Sequence, residues 1–466
     1  MKSKIFCFVL APLLFTSVFL SCTKVMQHPP SKDKNDKNGH LKQAKTFTSD
    51  VVKEWLETQM TLLYSPKKSY GVNAGRYMAY SGIAMYEAVV PGMPGYQSLS
   101  GQLNEMPAMP QTEPGKAYHW PTCANAALAE ITRQLFTFSD ATNSVAAHTE
   151  DSLNAVYEAE IGNSAIFERS KAFGKAIAQK VAEWAATDHP WEGWPQMVLT
   201  DNSPGKWWPA DNNPTMPNGL AYWGNTRTIV AGSIDNVTSK PYTYNDVDKN
   251  SPYYKDFQEV YDISKNLTFK QKRLALYYND PPANGYPGGA SYIPVFKQIL
   301  DQLNPMLDEA AVAFAKTGMS LMDATIGSMK AKYIIMQERP FQFIRRVIEP
   351  STDPATWWNP LIGTPPYSDF PANHATFAGA FTYALTSLFG DNVHFINATY
   401  KGQQITIDGN TIDMGTYKYN SFYVLANDIA ISRVYGGIHT RHAVEEGVRQ
   451  GIKTAQNVDK KVKFLK

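Results

Sequence analysis

The chain has 466 residues, of which 43% are hydrophobic and 18% charged, and a composition of this kind can bury a large core. Its 44 Lys and Arg residues nearly balance 42 Asp and Glu residues, which argues against a nucleic-acid-binding surface. Three cysteines exclude a disulfide scaffold and a cysteine-rich zinc or iron–sulfur site. Length alone is compatible with two or three domains.

The amino terminus has the pattern of an export signal. Within residues 1–21, Lys2 and Lys4 precede an apolar run that is too short for a membrane span and ends at the small residue Ser21. The following Cys22 completes a sequence that resembles the bacterial lipoprotein cleavage box, in which this cysteine is acylated. We therefore expect residues 1–21 to be a lipoprotein signal peptide. The mature protein would be anchored by lipid at Cys22 in the bacterial cell envelope, facing the periplasm or the exterior.

The segment after this cysteine predicts a tether. Residues 22–47 are rich in Lys, Asn, Pro and Gly and hold too few apolar side chains to offset the entropy cost of ordering. Residues 48–466 are expected to form one helical domain, with the chemically important motifs between 320 and 450.

Helical periodicity dominates the rest of the chain and predicts an all-α protein of helical bundles. Apolar residues recur at three- and four-residue spacing in 74–89, 124–136, 165–186, 307–338, 374–389, 421–433 and 442–456. Residues 187–256 and 348–373 are rich in Pro, Gly, Asn and Trp and predict long ordered loops. One small β-hairpin is predicted, with Ile405 to Ile407 and Ile412 to Met414 joined through Asp408-Gly409-Asn410.

Three short motifs carry groups that could bind an anion. Lys332 and Arg339 are seven residues apart, so two helical turns would place both cations on one face, although a solvated basic stripe would look the same. His374 follows a proline near a helix start, where unpaired backbone N–H groups favour anions, although it could equally be satisfied by its own helix end. Arg433 and His439 flank a Gly-Gly turn that could bring them together, or they could be a helix cap and a loop histidine.

The order and spacing of these motifs are more specific than any one of them. Lys-x6-Arg-Pro, Pro-x-x-His and Ser-Arg-x5-His resemble the three-part signature of the type-2 phosphatidic acid phosphatase and vanadium haloperoxidase superfamily. Residues 339–380, which include Trp-x-Pro-Leu and Thr-Pro-Pro, are similar to its bacterial vanadium-dependent haloperoxidase branch. The resemblance covers about 400 residues, nearly all of the mature chain.

The resemblance implies a vanadate cofactor and a set of site residues. His439 would be the axial ligand of vanadate, and His374, on the opposite side, would act as acid and base. The expected oxyanion-binding groups are the side chains or backbone amides of Lys332, Arg339, Ala372, Asn373 and Arg433.

The activity implied by the branch is the oxidation of halide, with iodide or bromide favoured, by hydrogen peroxide to hypohalous acid. A secreted phosphatase on the same scaffold is an alternative, in which His439 would attack a phosphate monoester and form a phospho-histidine. A third alternative is a degenerate lipoprotein that binds an oxyanion without catalysis. The sequence has no series of membrane-spanning runs, which argues against an integral lipid phosphatase.

Three positions depart from the family pattern. Ala372 and Asn373 stand where the family usually has Ser-Gly, so a hydroxyl donor is lost. Ala443 stands where the family usually has an aspartate four residues after the last histidine, so the orientation and basicity of His439 are expected to be less assured. Glu445 and Glu446 are near in sequence but have a different helical phase.

Overall fold

The structure is a computed structural model that describes residues 42–63, 73–137, 139–188, 196–210, 213–215, 220–280 and 291–466. The expected signal peptide and the Cys22 anchor lie outside these residues. The helices in the described part of the chain are α1 (Asp50–Leu63), α2 (Asn73–Val89), α3 (Trp120–Leu135), α4 (Thr142–Ile161), α5 (Ser164–Ala185), α6 (Pro252–Lys265), α7 (Phe269–Tyr277), α8 (Tyr292–Leu303), α9 (Leu307–Ile335), α10 (Pro340–Phe343), α11 (Asn373–Phe389), α12 (Phe422–Tyr435) and α13 (Arg441–Lys461).

The few strands among the described residues form two small antiparallel ribbons. Strand β2 (Gln404–Ile407) pairs with β3 (Asn410–Asp413), which confirms the predicted hairpin. Asp408 and Gly409 connect them with φ of 50° and 78°, the left-handed pair that two-residue hairpin turns require. The second ribbon, β1 (Phe395–Asn397) with β4 (Tyr417–Tyr419), was not predicted and is only three residues long. The all-α prediction is confirmed.

Helix α9 runs through the middle of the fold. It contacts α2, α11 and α13, and its residues are buried on all sides along most of its 29-residue length. A helix that carries apolar or small residues on every face belongs in the centre of a bundle rather than at its surface. Lys332 lies in the last turn of α9, so the carboxyl end of this core helix carries a buried cation.

Helices α11 and α13 approach each other backbone to backbone at glycine positions. A Cβ at Gly451 would overlap the carbonyl oxygen of Thr376, and a Cβ at Gly379 would overlap that of Val448. At the start of the two helices, the N–H of Ala372 donates to the carbonyl oxygen of Ala443 at 2.9 Å. The amino-terminal ends of α11 and α13 therefore lie side by side.

The packed part of the chain starts inside the segment predicted as tether. Residues 44–46 form a 3-10 turn, and Ala44 and Phe47 are buried against the core because they are apolar residues after a polar run. The thiol of Cys123 is free and buried. Within the described ranges, no helix is both long enough and apolar enough to cross a membrane.

Candidate oxyanion site

The first cation motif is not one continuous helix, which corrects the prediction. Helix α9 ends at Ile335, and Met336 adopts a left-handed conformation with φ of 55°. Residues 336–338 instead bond to the 205–207 segment, through Trp207 N–H to the Met336 carbonyl and Glu338 N–H to the Gly205 carbonyl. The backbone groups that would extend the helix are used in this pairing, and Arg339 stands in an extended conformation before Pro340.

Arg339 nevertheless reaches the same site as Lys332. Its buried guanidinium donates from Nε to the Tyr367 carbonyl oxygen at 2.7 Å and from Nη1 to the Ile438 carbonyl oxygen at 2.7 Å. Its Nη2 is buried without a hydrogen-bond partner among the described residues. A buried guanidinium nitrogen without a partner is costly, so this atom fits a bound anion that would accept its hydrogen bond.

The other two cations are buried as well. Lys332 Nζ donates to the carbonyl oxygens of Ser368 at 2.7 Å and Asp369 at 2.9 Å, which uses two of its three protons. Arg433, in the last turn of α12, donates from Nη2 to the Ala275 carbonyl oxygen at 3.0 Å. Burial lowers the pKa of Lys332 well below its usual range and that of Arg433 to about 10, so a bound anion would stabilise both charges.

His439 is brought back to these cations by the turn after α12, as predicted. Gly437 has φ of +76° and packs against Pro360 and Trp358, and the Ile438 N–H bonds to the Arg433 carbonyl oxygen. Arg339 Nη1 is 2.9 Å from Nε2 and 3.3 Å from Nδ1 of His439. An atom this close to both ring nitrogens lies over the ring face. The in-plane lone pair of Nε2 is therefore not directed at this guanidinium.

An unpredicted carboxylate holds His439 from the other side. Asp369 Oδ1 is 2.6 Å from Nδ1 of His439, and both side chains are almost fully buried. Burial raises the pKa of Asp369 to about 6, whereas burial and the cations Arg339 and Lys332 push the pKa of His439 well below its usual range. At neutral pH the contact is thus a hydrogen bond between a carboxylate and a neutral imidazole.

This contact overturns the expectation that the orientation of His439 is less assured because position 443 is alanine. Neither glutamate compensates: Glu446 bonds to Ser239 and Arg449, and the exposed Glu445 is 3.9 Å from Arg441. No local sequence signal could have identified Asp369, because it lies seventy residues before His439 and the fold alone brings the two together.

The start of α11 differs in part from the predicted cradle. Ala372 is the N-cap residue, and its N–H is already donated to Ala443, which removes this donor from the predicted set. The side chain of Asn373 accepts from Ser328 Oγ at 2.9 Å and its Nδ2 donates to Met329 Sδ at 3.1 Å, so the amide points to α9 and does not replace the missing hydroxyl. Backbone N–H groups of the first helical turn, starting at Asn373, have no partner within the helix and remain the anion-binding feature of this end.

His374 lies in that first turn, within electrostatic range of His439. Its Nε2 is 3.5 Å from Oδ2 of Asp280, a buried carboxylate that also accepts from Ser291 at 3.1 Å and from Tyr400 at 2.7 Å. Burial lowers the pKa of His374, so this imidazole is also neutral at pH 7 and able to accept a proton. Asp280 is a second site carboxylate that the sequence did not indicate.

Together, the three predicted cations and both predicted histidines converge on one site. Three cations face two carboxylates, Asp369 and Asp280, which leaves an excess of positive charge inside the protein. Among the described residues, the polar groups available there are mainly donors, together with one lone pair on each neutral imidazole. This donor set fits a small tetrahedral oxyanion that can add a nitrogen ligand, such as vanadate or phosphate.

Comparison with known proteins agrees with this geometry. Residues 312–465 match the family described as the VCPO second helical-bundle domain. A bacterial vanadium-dependent iodoperoxidase of known structure superposes with a TM-score of 0.77 and 27% identity, over 90% of this chain and 97% of that chain. No curated protein matches the chain in sequence.

Two further solved structures share the fold. The apo form of a bacterial vanadium-dependent chloroperoxidase has a TM-score of 0.59 and 16% identity, over 86% of this chain and 96% of that chain. The holo form of a bacterial vanadium-dependent chloroperoxidase has a TM-score of 0.59 and 14% identity, over 85% of this chain and 93% of that chain. These two similarities concern the fold, whereas the family match over residues 312–465 and the iodoperoxidase support the resemblance to the vanadium haloperoxidase branch.

Proposed function

We propose that this protein belongs to the vanadium haloperoxidase branch, binds vanadate and oxidises halide, with iodide or bromide favoured, by hydrogen peroxide to hypohalous acid. The observation that carries the proposal is the buried imidazole of His439, which is held at Nδ1 by Asp369 beside three buried cations. Iodide is supported further by the similarity to a bacterial iodoperoxidase across nearly its whole length.

The chemistry of each site residue indicates its role in this activity. Vanadate, when bound, would supply a Lewis-acid centre that activates peroxide without changing its own oxidation state. Nε2 of His439 would hold it through its lone pair, and Lys332, Arg339 and Arg433 would neutralise its oxygen atoms. His374, neutral and close by, would take a proton from incoming peroxide and return it to the leaving oxygen.

The activity is tested with purified protein in phosphate-free buffer. Orthovanadate is added, and the oxidation of iodide and of bromide by hydrogen peroxide is followed, beside the hydrolysis of p-nitrophenyl phosphate without vanadate. We expect vanadate-dependent halide oxidation that His439→Ala abolishes. His442→Ala is the matched control, because this ring stacks on Tyr242 and faces the Lys240 carbonyl oxygen outside the site.

Two results would contradict the proposal. Phosphate ester hydrolysis that depends on His439, without vanadate-dependent oxidation, would assign the site to a phosphatase. If the protein bound vanadate but showed neither activity, the site would be assigned to an oxyanion-binding lipoprotein without catalysis.

We also propose that the protein is attached to the bacterial cell envelope by a lipid at Cys22, behind the signal peptide of residues 1–21, and that a tether joins Cys22 to the packed part of the chain, which begins at Ala44. The support is the cleavage-box pattern ahead of this cysteine. In a bacterial host, the protein should partition with membranes, and Cys22→Ala should release it from them. Equal membrane association of both forms would contradict lipid attachment at this residue.

A further inference from the structure

We infer that Asp369 is the positioning residue that fixes His439 in the tautomer protonated at Nδ1 and so keeps Nε2 available as a ligand. This inference rests on the proposed function, in which Nε2 binds vanadate. In this chain, the carboxylate that orients the histidine would come from a different position in the sequence. The family usually has an aspartate four residues after the histidine, and that position is Ala443 here.

The geometry holds the carboxylate rigidly. While Oδ1 of Asp369 contacts His439 Nδ1, Oδ2 accepts from the Thr440 hydroxyl at 3.0 Å and from Gln337 Nε2 at 3.2 Å. The Asp369 N–H donates to the Gln337 carbonyl oxygen, and the Asp369 carbonyl oxygen accepts from Lys332. Side chain and backbone are thus anchored at once, and the carboxylate has little freedom to turn away from the ring.

The partners of Oδ2 also decide what an amide would do at this position. The Thr440 hydroxyl accepts from the Ala443 N–H as the helix cap of α13, so its own proton points to Asp369. Two donors therefore face Oδ2. In Asp369→Asn, the amide oxygen would satisfy them, and the amide NH₂ would face His439 Nδ1. A donor there requires Nδ1 to accept, so the proton of the imidazole would move to Nε2.

This change would block the ligand atom without removing the histidine. The loss of a carboxylate that orients a ligating histidine typically weakens metal binding by about 10- to 100-fold. We expect a loss of this size in the affinity for orthovanadate. The matched control is Asp323→Asn, because Asp323 is also fully buried and accepts from Ile229 N–H, Val230 N–H and Ser233 Oγ, away from the imidazoles.

The test combines a spectroscopic readout with a binding measurement. Nitrogen-15 NMR of histidine-labelled protein without vanadate reports which ring nitrogen of His439 is protonated, and titration calorimetry with orthovanadate gives the dissociation constant. The wild type and Asp323→Asn should show the Nδ1–H tautomer, and Asp369→Asn should show the Nε2–H tautomer and weaker binding. The wild-type spectrum alone is informative even if Asp369→Asn fails to fold.

Several outcomes are distinguishable. An Nε2–H tautomer in the wild type, or an Nδ1–H tautomer with unchanged vanadate affinity in Asp369→Asn, would overturn the positioning role. A tautomer that changes as expected in a protein that does not bind vanadate would support the role of Asp369 and contradict the proposed function.

Discussion

Replacing Arg339 by lysine keeps the charge of the site but removes its planar set of donors. In the structure this guanidinium joins the Tyr367 and Ile438 carbonyl oxygens and keeps Nη2 for another acceptor. An ammonium on a flexible stem cannot occupy all three positions. The substitution Arg339→Lys therefore separates the contribution of directed hydrogen bonds from that of charge alone.

The expected size of the effect follows from these contacts. A hydrogen bond from a charged donor contributes about 1.5–3 kcal/mol, and lysine can retain one of the two bonds to carbonyl oxygens, so the free energy of unfolding should fall by about 1.5–3 kcal/mol. The loss of the Nη2 donor should cost a similar amount in binding, which corresponds to an orthovanadate dissociation constant about 10- to 150-fold larger.

Urea unfolding and titration calorimetry measure the two effects separately. Arg76→Lys is the control, because Arg76 is also buried and donates to Asp188 and to the Ala185 carbonyl oxygen far along the chain from the site. It should lose stability and bind vanadate normally. If Arg339→Lys bound orthovanadate as tightly as the wild type while losing as much stability as Arg76→Lys, the reasoning about the guanidinium donors would be refuted.

Three further predictions concern packing, pH and ligand linkage. Gly451→Ala should push α13 away from Thr376 and lower the free energy of unfolding by about 1–3 kcal/mol in urea titrations, whereas Gly363→Ala, which meets no neighbour, should be nearly neutral. Burial raises the pKa of Asp323 from 3.8 to about 7, so the folded state binds its proton more tightly. The stability of the wild type relative to Asp323→Asn should therefore fall as pH rises from about 4 to about 7, and equal urea midpoint shifts at pH 4 and pH 8 would contradict this. Orthovanadate should raise the melting temperature of the wild type in proportion to the logarithm of its concentration above the dissociation constant, and inorganic phosphate should compete; a melting temperature independent of orthovanadate would contradict binding to the folded state.

Much of the fold was accessible from the sequence because its signals are local. The apolar repeat and Gly390 predict α11, and the structure ends that helix at Phe389 with Gly390 as its C-cap. The apolar spacing in 442–456 likewise predicts α13, which the structure places at Arg441–Lys461. The cations and histidines were found because their spacing along the chain resembles a family signature.

The remaining features depend on contacts between distant segments. Helix α9 stops at Ile335 because residues 336–338 pair with the 205–207 segment, and no periodicity within 307–338 reveals such a partner. The support of His439 by Asp369 likewise depends on the arrangement of the loop before α11 against the turn before α13. The cations and histidines of the site were therefore predictable from the sequence, but its carboxylates Asp369 and Asp280 and the hydrogen bonds that orient the imidazoles were not.

The most direct test of the oxyanion site is a crystal structure of the protein with orthovanadate, in which anomalous scattering locates vanadium. We expect one vanadium atom bonded to Nε2 of His439, with its oxygen atoms accepting from Lys332, Arg339 and Arg433. Vanadium bound elsewhere, or an ordered site without vanadium at saturating orthovanadate, would contradict it.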